Sequence, residues 1–116
     1  MQTKFDKLLA DIILFTKERD WDKYHYPKNL AISISIEANE LLELFMWLTE
    51  VDSKTLSDHQ MKKVCEEVGD ITINLLNFCN KLNINPIDCA TEKLEIIKEK
   101  YPVDKSFGSA KKYDEL

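Results

Sequence analysis

Four carboxylic acids stand out because of their spacing. Glu37 and Glu40 lie three residues apart, and after 26 further residues Glu67 and Asp70 repeat the same spacing. Residues three apart share one face of a helix. Leu, Ile and Phe occupy the same faces, so both pairs fall on the apolar stripe that a helix normally buries. The interval between the pairs is long enough for one helix to end and the next to return antiparallel, which would bring all four acids together.

The charge of these acids predicts a metal site. Buried carboxylates that approach one another are costly, so either some of them are protonated or cations lie between them. Oxygen ligands with no His or Cys nearby favour Mg²⁺, or Mn²⁺, over zinc. Mg²⁺ commonly takes phosphate oxygens as further ligands, so phosphoryl chemistry is expected. A di-iron bundle would use Glu-x-x-His, and neither His25 nor His59 follows a glutamate by three.

Four helices are predicted to position these acids. Apolar residues recur at helical spacing over four segments, which are about Thr3–Arg19, Pro27–Thr49, Ser57–Leu82 and Pro86–Lys100. Ser57-x-x-Gln60 forms a possible capping box, and Asn85 with Pro86 is a typical helix start. The sequence therefore predicts an all-α, four-helix bundle-like fold in one domain, 1–116, with residues 102–116 a largely irregular tail.

The second predicted helix is apolar on more than one side. Opposite the acids it carries Ile32, Ile36, Leu42 and Met46. A helix that is apolar nearly all round is central or lies in a subunit interface. A four-helix unit of this size has limited capacity to bury such a helix, so we expect a homo-oligomer.

Composition and charge exclude several classes of protein. The net charge is −5, which argues against a nucleic-acid backbone binder. No apolar run reaches membrane-spanning length, and the first residues carry acids among their apolar side chains, so neither a membrane protein nor a signal peptide is expected. Cys65, Cys79 and Cys89 fall inside helical patterns and are predicted to be buried thiols, typical of the reducing cytoplasm.

Longer segments carry a resemblance to a known family. ERDWDKYHYPKNL at 18–30, EANELLELFMW at 37–47 and the KYP…G…KYDEL pattern of the last 17 residues accompany the two acid pairs. Together they resemble the MazG-like, all-α nucleoside triphosphate pyrophosphohydrolases, especially the small dCTP-pyrophosphatase type. The resemblance implies a homodimer or homotetramer. It also implies Mg²⁺-dependent hydrolysis of a (deoxy)nucleoside triphosphate to the monophosphate and pyrophosphate, in house-cleaning of the nucleotide pool.

The resemblance also implies roles for individual residues. Glu37, Glu40, Glu67 and Asp70 would be the metal ligands, and one of these acids, or Glu43, would orient the attacking water, with Glu37, Glu40 and Glu43 taken as the catalytic candidates. By the same resemblance, the candidate nucleoside-binding residues are Trp21, His25 and Trp47, and Lys93 and Lys100 are candidate phosphate contacts.

Three further candidates follow from helix position. Lys28 and Asn29 lie near the positive N-terminal end of the second predicted helix, which suits an anion. Asn74 lies on the acid-bearing face and is a further candidate substrate-binding residue.

Departures from the family pattern leave the substrate open. Asn74 stands where relatives often have Tyr, Ile97 where they have Asn, and Met46 where they have Gln. A dCTP-like or another deoxynucleotide is therefore expected. The alternative is a non-catalytic helical interaction or regulatory module in which the acid cluster is structural.

Overall fold

Helices make up all the regular structure of the chain. The computed structural model describes residues 1–116 and contains no strand. Its elements are α1 Lys4–Glu18, α2 Pro27–Phe45, α3 Glu50–Lys54, α4 Asp58–Lys81, α5 Pro86–Lys100, α6 Val103–Ser106 and a 3₁₀ turn Tyr113–Glu115. The predicted all-α class and its four long helices are confirmed, and the tail adds only two short helical segments.

The helix starts follow the predicted capping chemistry. At α4, the Ser57 hydroxyl accepts from the Gln60 N–H while the Gln60 side chain accepts from the Ser57 N–H. At α5, the Asn85 side chain accepts from two N–H groups of the first turn, and Pro86 occupies the first helical position. These caps pair the N–H groups that a helix start leaves without partners.

The second long helix is shorter than predicted. It ends at Phe45 rather than near Thr49. The Thr49 hydroxyl instead accepts the N–H of Asp52 and caps the separate short helix α3. A threonine side chain that satisfies a helix start competes with continuation of the preceding helix, and the apolar pattern alone does not reveal this competition.

The chain divides into two compact units, residues 1–83 and 84–116. In the first unit α2 packs along α4, and α1 makes a smaller contact with α4. The buried apolar residues are Ile12, Leu30, Leu76 and Cys79. The second unit comprises α5, α6 and the 3₁₀ turn. A single domain over 1–116 stays a prediction.

The direction of packing in the first unit follows from two contacts. Just before α2 begins, His25 meets Asn77 near the end of α4. Further along α2, Glu37 meets Asp70, which lies earlier on α4. Residue numbers rise along one helix as they fall along the other, so α2 and α4 are antiparallel, as the interval between the acid pairs predicts.

The predicted burial of the cysteines is only partly correct. Cys79 is buried, but Cys65 and Cys89 are exposed. The latter two lie on outward faces of α4 and α5, which their helical positions alone did not distinguish. None of the helices combines the length and the apolar character needed to cross a membrane.

Candidate active site: a carboxylate cluster beside a cavity

The four predicted acids converge. One carboxylate oxygen from each of Glu37, Glu40, Glu67 and Asp70 can be chosen so that all four atoms lie within 4.8 Å of one another. Helix α2 supplies the first pair and α4 the second, and the three-residue spacing turns each pair towards the other helix. Asp70 is exposed and the other three are half-buried, so the cluster is open to solvent on one side.

Burial and the crowding of negative charge raise the pKa values of two acids in this cluster. Burial, followed by the hydrogen bond and charge of Glu40, raises the pKa of Glu37 to about 7 from an ordinary value of 4.5. Burial and then the charge of Glu40 also raise the pKa of Glu67. Both shifts mean that the negative form of these side chains is destabilised in the folded chain. A cation within the cluster would remove that penalty.

Two oxygens of the cluster lack partners. Oε2 of Glu37 and Oε2 of Glu67 are buried and accept no hydrogen bond. A buried carboxylate oxygen without a donor is costly, and a metal ion is one way to satisfy it. The donors are all carboxylates, with no His or Cys among them, which suits a hard divalent ion such as Mg²⁺ or Mn²⁺. The residues therefore fit such an ion.

Glu43 lies outside the cluster. Its side chain is exposed, and it accepts a hydrogen bond of 3.3 Å from Asn39 Nδ2. Glu43 lies three residues beyond Glu40 on α2, so it is near the cluster, but its carboxylate is not among the four that converge. A role for Glu43 in orienting water stays a prediction.

A cavity of about 370 Å³ adjoins the cluster, within the size range of small-molecule sites. It lies between α1, the loop 19–26 and α4. Asn74 lines it and donates from Nδ2 to the backbone carbonyl of Asp70 at 2.9 Å, so cavity and cluster occupy adjacent turns of α4. The lining residues are Asp11, Ile12, Phe15, Thr16, Trp21, His25, Ile73, Asn74 and Asn77. Three of the predicted substrate-binding residues, Trp21, His25 and Asn74, are therefore brought together.

The loop that carries Trp21 is fixed to α1. The Trp21 N–H donates to the Thr16 carbonyl at 3.0 Å. The Trp21 ring packs edge-on against Phe15, with 5.6 Å between ring centroids, and against His25, with 6.1 Å. The aromatic wall of the cavity is consequently held in place by its own loop and by α1.

The same loop is fixed to α4 by a salt bridge. Lys81 Nζ donates to Asp22 Oδ1 at 2.9 Å, and the Thr16 hydroxyl lies 3.3 Å from the same oxygen. The hydrogen bond from Lys81 holds the pKa of Asp22 below its ordinary value. The loop thus connects two helices that border the cavity.

The sequence interpretation missed Asn77. This residue is 5% exposed, lines the cavity, and its Nδ2 lies 3.0 Å from His25 Nδ1. A signal was present, because Asp70, Asn74 and Asn77 are spaced by four and three residues and continue the polar stripe of α4. Such a stripe inside an apolar face could have identified Asn77.

The other predicted substrate residues do not line the cavity. Trp47 is 89% exposed just beyond the end of α2, and Lys28 is exposed in the first turn of α2. Asn29 Nδ2 donates to the Tyr24 carbonyl at 3.0 Å and so closes the loop onto the helix. Lys93 and Lys100 are exposed on α5, in the second unit. Substrate contacts by these five residues stay predictions.

Comparison with known proteins identifies the family. Residues 32–116 match the MazG-like family. The chain belongs to this family. The resemblance that the motifs indicate is thus confirmed for the MazG-like fold, and the matched range includes all four acids of the cluster. It begins after the loop that carries Trp21 and His25, so the cavity wall formed by that loop lies outside the family match.

Similar proteins add detail to the MazG-like assignment. The chain is 33% identical to dCTP pyrophosphatase 1 of Mus musculus over 104 residues and 32% identical to dCTP pyrophosphatase 1 of Homo sapiens. These matches cover 88% of the chain, which spans about 61% of the length of these curated relatives. A pyrophosphatase of Archaeoglobus fulgidus with a known crystal structure has a similar fold, with a TM-score of 0.83 and 40% identity, over 88% of this chain and 95% of that one.

Proposed function

We propose that this MazG-like chain hydrolyses a (deoxy)nucleoside triphosphate to the monophosphate and pyrophosphate and so removes unwanted nucleotides from the cytoplasmic pool. The observation that carries the proposal is the four-carboxylate cluster one helical turn from a cavity of nucleoside size. Similarity to proteins named dCTP pyrophosphatase and pyrophosphatase supports this reaction. A dCTP-like deoxynucleotide is the substrate that the names of the curated relatives favour.

The cavity and the carboxylate cluster bind different parts of the proposed substrate. The base enters the cavity against Trp21 and His25, while the phosphates extend along α4 towards the acids. Glu37, Glu40, Glu67 and Asp70 would hold Mg²⁺ or Mn²⁺, which supplies charge neutralisation of the phosphates and a lowered pKa of the attacking water. Without a cation, the phosphates and the carboxylates repel one another, so removal of the metal abolishes productive binding.

Hydrolysis proceeds by attack of water on the α-phosphorus. A bond forms between the water oxygen and the α-phosphorus as the bond from that phosphorus to the α–β bridging oxygen breaks. Pyrophosphate leaves with the bridging oxygen, and a carboxylate of Glu37, Glu40 or Glu43 orients the water and accepts its proton. We assign Lys28 and Asn29 as candidate contacts to the phosphates because ammonium and amide groups donate to phosphate oxygens.

A second copy of the chain belongs to the proposal. Four apolar side chains are between 45% and 52% exposed, namely Ile32, Ile36 and Leu42 on α2 and Met46 directly after its end. Apolar side chains in contiguous exposed rows favour burial in an interface. We propose a homodimer or homotetramer that covers this face, with Trp47, just beyond the end of α2, completing a pocket between copies.

Pyrophosphate release tests the reaction. The chain is assayed on a panel of ribo- and deoxynucleoside triphosphates with Mg²⁺, with Mn²⁺, and with EDTA. Release should require the metal and should be lost in Glu40→Gln. Glu66→Gln is the matched control, since Glu66 is exposed on α4 next to Glu67 and lies outside the cluster. No release from any triphosphate would instead favour the non-catalytic interaction module.

Isotope labelling tests the position of attack. In water enriched in ¹⁸O, attack at the α-phosphorus places the label in the monophosphate and leaves pyrophosphate unlabelled. Mass spectrometry of the two products distinguishes this from attack at the β-phosphorus, which would label pyrophosphate and would contradict the proposed mechanism.

A further inference from the structure

The contact between His25 and Asn77 determines which ring nitrogen of neutral His25 carries the proton. Asn77 Nδ2 lies 3.0 Å from His25 Nδ1. An amide NH₂ group can only donate, so the ring nitrogen that faces it must accept with its lone pair. The proton of the neutral ring is then on Nε2.

We infer that Asn77 is a positioning residue for base recognition, because it holds His25 as the neutral Nε2–H tautomer and thereby makes His25 a hydrogen-bond donor to the nucleobase. The inference rests on the proposed function, since it requires that the cavity receive a base. The recognised base then presents an acceptor, either a ring nitrogen without a proton or a carbonyl oxygen, to His25 Nε2.

The burial of Asn77 supports this role. At 5% exposure its amide cannot rely on solvent for hydrogen bonds, and the His25 ring is the partner of its Nδ2. The two residues are 52 positions apart in sequence, so the contact depends on the packing of the loop against α4. Both side chains line the same cavity.

The loop restrains His25 in other ways as well. Its backbone N–H donates to the Asp22 carbonyl at 3.1 Å, and Asp22 is tied to Lys81. Asn77 and Lys81 are four residues apart and therefore share a face of α4. Trp21 packs edge-on against the His25 ring, with an interplanar angle of 67°. Asp22 thus holds the backbone of His25, while Trp21 and Asn77 hold its ring. Of the two ring contacts, the one with Asn77 selects the tautomer.

A fixed hydrogen-bond donor at His25 Nε2 allows the site to discriminate between bases. A base that offers an acceptor at this position gains a hydrogen bond, whereas a base with an N–H there leaves two donors facing each other. Loss of a neutral hydrogen bond is worth about 1 kcal/mol, or about fivefold in affinity. This contact forms with the substrate and persists in the transition state, so it acts on KM rather than on kcat.

Nitrogen-15 NMR of histidine tests the tautomer directly. The full chain is labelled at its two histidines, His25 and His59, and studied at about pH 8. Loss of one set of signals in His59→Gln assigns the other to His25. We expect protonated Nε2 and unprotonated Nδ1. A protonated Nδ1 in the wild-type chain would overturn the inference, and this measurement needs no catalytic activity.

An acid at position 77 should reverse the tautomer. In Asn77→Asp the carboxylate accepts rather than donates, so Nδ1 of His25 should become protonated. Asn80→Asp makes the same chemical change three residues further along α4 and should leave the His25 signals as they are. Circular dichroism establishes that each variant is folded. If Asn77→Asp does not fold, the wild-type spectrum alone decides the tautomer.

Kinetics test the link to base recognition. Asn77→Asp should raise KM for the preferred triphosphate at least fivefold, keep kcat within about twofold, and reduce the preference between bases. A fall in kcat at unchanged KM would overturn the positioning role. If the tautomer is as inferred but no triphosphate is hydrolysed by the wild-type chain, the proposed function and the recognition role fail together, whereas a wrong tautomer in an active enzyme overturns this inference alone.

Discussion

Asn74 donates from Nδ2 to the backbone carbonyl of Asp70 at 2.9 Å, which places a cavity-lining amide one turn from the last acid of the carboxylate cluster. The side chain is bonded to its own helix, so its Oδ1 remains to accept from a ligand. The same short stretch of α4 thus serves both the phosphate end and the nucleoside end of the proposed substrate.

Replacement of Asn74 should lower activity while it leaves the stability of the fold nearly unchanged. Asn74→Leu keeps the branching and the number of side-chain heavy atoms but removes the amide, so we expect kcat/KM to fall about tenfold, equivalent to about 1.4 kcal/mol. Thermal unfolding should change little, since the lost bond lies within one helix. Asn80→Leu on the same helix is the control for activity. Unaltered kcat/KM in Asn74→Leu would remove Asn74 from the substrate site.

The stability of the metal-free chain should decrease as pH rises through the neutral range. The pKa of Glu37 is about 7 in the folded chain, above its ordinary value of 4.5, so the folded state binds this proton more tightly than the unfolded state. The stabilisation is fully present below about pH 4.5 and is lost as pH rises to about 7. The pKa of Glu67 shifts in the same direction.

Urea denaturation in EDTA between pH 4.5 and 8 measures this dependence. Glu37→Gln cannot titrate and should flatten the slope. Lys81 lowers the pKa of Asp22, so this residue makes the stability rise with pH. Its effect falls below its ordinary pKa of 3.8 and therefore outside this window. A free energy of unfolding that rises with pH over this range in the wild-type chain would contradict the assigned crowding of the acids.

Mg²⁺ should stabilise the folded chain through the same acids. A ligand present at 100 times its Kd stabilises the folded state by about 2.7 kcal/mol, which corresponds to a rise in Tm of roughly 10 °C for a chain of this length. Glu67→Gln neutralises one proposed ligand, whose Oε2 is one of the two unpartnered oxygens, so the Tm of this variant should respond much less to Mg²⁺. Differential scanning calorimetry with and without Mg²⁺ measures the shift. Glu66→Gln should retain it, and an equal shift in Glu67→Gln would exclude Glu67 as a ligand.

The carboxylate cluster could be predicted from the sequence because its signals are local. Three-residue spacing and the apolar faces of two helices determine where the acids point, whatever the surrounding loops do. The contact of His25 with Asn77 could not be predicted in this way, because it joins residues 52 positions apart through the conformation of the loop 19–26. The end of α2 was missed because Thr49 caps a new helix, which helical periodicity does not record.

A charge on the outer face of α2 should disrupt the proposed assembly. Leu42 is 52% exposed in the single chain and lies opposite the acid cluster, so Leu42→Lys leaves the proposed metal ligands untouched. Burial of an unpaired ammonium in an interface is costly, and the oligomer should therefore dissociate to monomers in sedimentation velocity at micromolar concentration. Val51→Lys introduces the same charge at an exposed apolar position on α3 and should leave the oligomer intact. A wild-type chain that sediments as a monomer would refute the assembly. An unchanged oligomer in Leu42→Lys would instead move the interface away from this face of α2.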